Sequence, residues 1–231
     1  MTHKTRICVL LPAFLILSGC GKLSHKPFRV AYKSWPGFTS FAIAEQQGFF
    51  KSRGLDVKTR VIENLEPRNN AMRDGDLDAV CNSVDDAIRA SAMGAKGKIV
   101  FVFDRYKSGE DTAPSDTLYV ADSVDKSRPD DVQALVDALI EANEWWIAHK
   151  PEGNKMASEQ WKLPLDNIYN MLATMDIYGT QQETQAFGSD GQGPLAKQVQ
   201  RAATLWQTVG VIKTPVAADD VVDPQFVRKH H

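Results

Sequence analysis

The sequence predicts an α/β fold in which a mostly parallel sheet is flanked by helices. Three observations predict it. Strand-like and helix-like segments alternate between residues 28 and 103. Two long apolar stripes at three- and four-residue spacing occupy the second half. The 231 residues are 43% hydrophobic and 24% charged, which is the make-up of a globular protein and excludes disordered, collagen-like and disulfide-framework chains. The formal charge of −2 gives no electrostatic footprint for nucleic acid, so none is expected as a partner.

Residues 1–19 are read as an address rather than part of the fold. Lys4 and Arg6 precede eleven residues, Ile7 to Leu17, with no charge among them, followed by Ser18 and Gly19. A basic start, a short apolar core and small residues at the cut describe a secretory signal. The stretch is too short to span a bilayer, which needs about 20 apolar residues. Leu17-Ser18-Gly19-Cys20 resembles a bacterial lipobox, in which the cysteine is acylated and becomes the new N-terminus. Cys20 is thus the expected lipidation site, residues 20–27 a polar tether, and residues 28–231 a single lobe. Cys8 leaves with the signal and Cys20 carries lipid, so Cys81 stands alone and no internal disulfide forms.

The elements follow in order. Phe28–Tyr32 reads as a strand, and Trp35-Pro36-Gly37 as a turn. Thr39 is placed to cap a helix carrying Phe41, Ala42 and Phe49, which Gly54 ends. Leu55–Ile62 is the second strand, residues 67–73 a short helix, and Leu77–Cys81 the third strand. A helix near residues 85–93 and a strand at Ile99–Phe103 complete the alternation. Val132, Leu135, Val136, Leu139, Ile140, Trp146 and Ile147 then mark a long amphipathic helix. Leu195, Val199, Ala202, Trp206 and Val209 mark a terminal one, and both stripes are read as core. Residues 164–175 suggest a further helix, and Gly188, Gly191 and Gly193 a loop.

Catalytic chemistry is hard to find. None of the five histidines has a second ligand at metal spacing, so no metal is expected. The glycines at 188–193 do not join a strand to a helix as dinucleotide binding requires, and no phosphate loop or nucleophile elbow occurs, so no cofactor and no enzyme activity is expected. Binding geometry remains. Ligands of an open α/β sheet settle beyond the carboxyl ends of its strands, and three segments lie there. They offer Trp35, Phe38 and Thr39 after the first strand, Asn82 and Ser83 after the third, and Asp104, Tyr106, Ser108 and Glu110 after the fourth. Helix N-termini there favour an anionic group, Trp35 and Tyr106 offer flat walls, and Asp104 or Glu110 offers a partner for an amine. Thr39 and Ser83 read equally well as plain caps, and Trp35 as a core plug.

At these residues the sequence resembles the periplasmic solute-binding proteins of nitrate/sulfonate/taurine-type ABC importers. The resemblance rests on Trp35-Pro36-Gly37-Phe38, on Ala44 to Val57, on Gly75-Asp76-Leu77-Asp78-Ala79-Val80 and on Asp104 to Asp111. It continues in Leu205-Trp206, Gly210-Val211-Ile212 and Asp223 to Val227. It implies a type II periplasmic-binding-protein lobe that binds a small anionic or zwitterionic solute, is lipid-anchored in the periplasm or cell envelope, and works with an ABC permease in the cytoplasmic membrane. The family continues after Asp111 through a second lobe of about 100 residues. Here Thr112 to Ser115 lead straight to Thr117–Ala121, which resembles the returning crossover strand, so that residues 28–111 form the ligand-face part and 117–231 the returning strand and C-terminal helices. The alternative is a non-transport envelope lipoprotein that uses the remaining lobe to bind a partner and exposes an apolar patch near residues 104–118.

Overall fold

The computed structural model describes residues 26–107 and 115–227. Cys20, Ser108 and Glu110 lie outside the described residues. The first half alternates as the pattern predicts: β1 (Phe28–Tyr32), α1 (Ser40–Gln46), α2 (Phe49–Ser52), β2 (Val57–Val61), α3 (Leu65–Arg73), β3 (Ala79–Ser83), α4 (Val84–Ala92) and β4 (Gly97–Tyr106). One expected helix became two. Gly48 adopts φ +77°, a left-handed conformation that glycine reaches without steric cost, and it separates α1 from α2.

The rest comprises β5 (Ser115–Ala121), α5 (Asp122–Ser127), α6 (Pro129–Ala148), α7 (Lys150–Trp161), α8 (Leu165–Ala173), β6 (Met175–Ile177), α9 (Thr180–Phe187), α10 (Pro194–Thr208) and α11 (Ala218–Val221). Helices α6, α7 and α10 each carry a proline in their first two positions, where its missing N–H is not needed and its fixed φ suits a helix start.

The six strands form one sheet in the order β2-β1-β3-β5-β4-β6. β1 runs parallel to β2 and to β3, while β5 inserts antiparallel between β3 and β4. Four strands therefore share one direction, and β5 and β6 oppose it. The result is a single lobe of the periplasmic-binding-protein fold. Two irregularities interrupt the β4–β5 ladder, the second between Val102 and Asp104. Such a bulge re-aims the side chains beyond it.

Phe38, Phe41, Phe101 and Phe103 form a buried aromatic ladder beneath α1. Asn143 of α6 lies fully buried among them. Its amide donates to the carbonyls of Phe103 (3.2 Å) and Tyr178 (2.8 Å), and its oxygen accepts from Ser40, tying α6, β4, the residue after β6 and α1 together. The stripe of α6 is core as expected from Val132 to Trp146, with Val132, Leu135, Val136, Leu139 and Trp146 fully buried, but Ile147 at its end is 39% exposed and is not core. The stripe of α10 stops short. Ala202 and Ala203 are buried, but Val209 lies just beyond the helix and is 58% exposed.

Candidate functional site

The carboxyl ends of β1, β3 and β4 meet the start of β5 at one edge of the sheet. The register sets Ser83 opposite Asp116 and Asp116 opposite Asp104, a row crossing β3, β5 and β4. The segment after β1 folds over this row. Trp35 donates its indole N–H to Asp104 Oδ2 at 3.4 Å, and its ring lies 6.0 Å from that of Tyr106. Gly37 makes the approach possible, because a Cβ there would sit 2.0 Å from Asp104 Oδ2 and 2.8 Å from Trp35 Nε1. Trp35, Asp104 and Tyr106, which lie apart in sequence, are therefore brought together.

Asp104 is fully buried, and its Oδ1 has no hydrogen-bond partner among the described residues. Burial, and then the neighbouring Asp116, push its carboxyl well above the usual carboxylate range. Asp116 is 5% exposed and meets Lys33 Nζ at 3.9 Å. Burial raises it to about 6 against the opposing pull of Lys33. Two carboxylates thus share one partly exposed cation. Such an arrangement is costly for a bare lobe and suits a site that awaits positive charge.

The other expected residues are engaged within the fold. Phe38 is fully buried and packs its ring on Tyr32 and Phe103 at 5.8 and 5.1 Å, so it belongs to the core. Thr39 occupies the first position before α1 but makes no side-chain cap, and its hydroxyl instead accepts from the Trp161 indole at 2.9 Å. Ser83 is a genuine cap, accepting from the backbone N–H of Asp86 at 3.3 Å. Asn82 is fully buried, and its oxygen accepts from Arg68 Nε and Nη2 at 3.2 and 3.0 Å while its amide donates to Asn69. Arg68 is 1% exposed and also donates to the carbonyl of Ile62 at 2.7 Å. Burial lowers its pKa.

Sequence reasoning missed Lys33, Arg68 and Asp116. Asp116 carried a signal, since a charged residue interrupts the otherwise strand-like run that ends at Ala121; the other two carried none. Between residues 104 and 118, Tyr106 alone among the described large hydrophobic side chains exceeds one-third exposure, and β5 is buried throughout. No group of three or more His, Cys, Asp or Glu side chains among the described residues is placed to hold a metal.

No family model matches the chain, and no curated protein matches it in sequence. Solved structures do match in fold. The periplasmic aliphatic sulphonate-binding protein SsuA from Escherichia coli aligns with TM-score 0.66 and 10% identity over 87% of this chain and 94% of its own. The ligand-binding component of an ABC-type import system from Staphylococcus aureus, solved with zinc bound, gives 0.68 and 9% over 89% and 99%. The periplasmic nitrate-binding protein NrtA from Synechocystis gives 0.63 and 10% over 88% and 87%. The fold is therefore that of substrate-binding proteins of ABC importers. No helix among the described residues is long and apolar enough to cross a membrane.

Proposed function

We propose that this chain is the substrate-binding lipoprotein of an ABC importer, binding a small charged solute at the Trp35–Asp104–Tyr106 mouth and presenting it to a permease. One observation carries the reading: the unpartnered, fully buried Asp104 Oδ1 beside Asp116, under two aromatic rings, at the strand ends where sheets of this kind take ligands. The fold shared with sulphonate- and nitrate-binding proteins supports the role.

Of an anion and a zwitterion, the mouth favours the zwitterion. An ammonium group would compensate Asp104 and Asp116, and the aromatic rings would add cation–π attraction. Lys33, a partly exposed cation beside them, would face the anionic end. A bare anion would meet two carboxylates. Acylation of Cys20 would hold the lobe at the envelope surface, within reach of the permease.

Calorimetric titration of the lobe with an aminosulfonate such as taurine, with a simple alkanesulfonate and with nitrate tests the solute reading. Heat with the aminosulfonate and loss of that heat in Asp104→Asn support it. No heat with any of the three at millimolar concentration overturns it. Palmitate labelling of the full chain, abolished by Cys20→Ser, tests the anchor.

A further inference from the structure

A second site lies on the other side of β4. Consecutive strand residues point to opposite faces. Where Asp104 meets Trp35, Arg105 instead lines a cavity of about 680 Å³ enclosed by the end of α6, by α7, α8 and α9, and by β6. That volume falls in the range of small-molecule sites, about 300–1,000 Å³.

The cavity's charge is opposite to that of the mouth. Arg105, Lys107 and Lys150 line it against the single carboxylate of Asp176, in a chain whose formal charge is −2. Asp176 is already taken: Lys107 Nζ lies 3.5 Å from it and donates to the carbonyl of Ala173 at 3.2 Å. Arg105 is left over. Its guanidinium is half-buried, its Nε is shielded from water, and it has no hydrogen-bond or ion-pair partner among the described residues. Removing such a group from water without compensation is unfavourable, and a carboxylate or sulfonate accepting two parallel N–H bonds supplies the compensation.

The walls give the rest of the ligand. Ile147 and Tyr169 line the cavity with 39% and 42% of their surfaces exposed, two of the few large hydrophobic side chains left so open, and Leu172 and Met175 continue the apolar lining. We infer that this cavity binds an organic anion with an apolar or aromatic body, its acid group on Arg105 and its body between Ile147 and Tyr169. The site is independent of the mouth and does not rest on the solute reading above.

Titration of the full chain with naphthalene-2-carboxylate tests it, with 2-naphthylmethanol and 2-naphthylmethylamine as neutral and cationic isosteres. The expected result is one-to-one binding of the carboxylate, at least tenfold weaker binding of both isosteres, and at least a tenfold loss in Arg105→Met. Should Arg105→Met fail to fold, Lys150→Met decides on the same measurement, with a severalfold loss expected. Trp35→Ala should leave this binding unchanged. No binding of the carboxylate, equal binding of the amine, or wild-type affinity in folded Arg105→Met or, where that fails to fold, in Lys150→Met would overturn the inference. Loss in Trp35→Ala alone would move the anion to the mouth, which sinks this site; the solute reading is judged separately, by the aminosulfonate titration.

Discussion

Asp116→Asn separates what the mouth costs the fold from what it contributes to binding. Burial holds the Asp116 carboxyl at about 6, against about 3.9 for an aspartate in an unfolded chain. A carboxyl raised on folding binds more protons in the folded chain than in the unfolded one between those two values. The stability it removes therefore grows as pH climbs from about 4 to about 6, and then stays constant. At about 1.36 kcal/mol per pKa unit, the ionised group costs about 3 kcal/mol at pH 8, about half of that at pH 5 and almost nothing near pH 3. Asparagine has the same shape and no charge, so it recovers that amount. The opposing pull of partly exposed Lys33 is already contained in that raised value, so nothing more is subtracted for the ion pair the variant loses. At about 2–4 °C per kcal/mol for a domain of this size, Tm at pH 8 should rise by about 6–12 °C, and at pH 5 by about half as much. Circular-dichroism melts at both pH values measure this, and calorimetry should show the same variant binding solute at least about tenfold more weakly. A variant no more stable than wild type at pH 8, or shifted equally at both pH values, refutes the reasoning.

Three further substitutions probe the supports of the mouth. Gly37→Ala drives a methyl group to 2.0 Å from Asp104 Oδ2; it should cost about 1–3 kcal/mol in denaturant unfolding, and a wild-type midpoint would show that the segment shifts freely. Asn82→Ala removes the acceptor of two Arg68 N–H groups deep in the lobe, and should lower stability by about 1.5–3 kcal/mol, with a loss below about 0.5 kcal/mol counting against the network. Glu183 is fully buried, accepts from the Val102 N–H at 3.0 Å and has its pKa pushed well up by burial. Glu183→Gln keeps an acceptor without the charge, so its melting temperature should exceed that of wild type increasingly as pH rises above the unfolded-chain value of about 4.3, and a difference constant from about pH 4 upward would disprove the cause.

What the sequence revealed follows from how local each signal is. β1, α6 and most of α10 were legible because one stretch of side chains repeats at a single period and buries one face. α5, α7 and α9 escaped because they are short or polar, and β6 because three residues display no period. The same division runs through the site. Trp35 and Asp104 sit beside a turn signal and a strand end, both readable in the chain. Asp116 and Lys33 join them only because β5 inserts antiparallel in one register, and that pairing is set by the packed sheet rather than by neighbouring residues. Phe38 and Thr39 mislead for the converse reason: their place at a strand end is real, but α1 and α7 fold back and take their side chains for the core.

On the proposed reading, the described lobe would desolvate a charged solute with its own side chains. In a closed two-lobed site about 70–90% of a small ligand's surface leaves water. Here the exclusion of water is already built in at Asp104, which is fully buried where Trp35 and Gly37 close on its Oδ2. On the proposed reading the same cover bars entry, so solute would reach Asp104 only when the segment after β1 swings aside. That segment is latched by Ser34, whose hydroxyl and backbone N–H both donate to Glu63, at 2.5 Å and at 3.2–3.3 Å, and hold that carboxyl below its usual range. Both groups are exposed and lie outside the mouth, so Ser34→Ala should leave melting nearly unchanged while speeding association about two- to fivefold. Stopped-flow tryptophan fluorescence with an aminosulfonate reads the rate, with Trp35→Phe identifying the share of the signal that comes from Trp35 among the five tryptophans. An unchanged association rate in a folded Ser34→Ala protein would mean that the cover does not gate, and that solute reaches the carboxylates by another path.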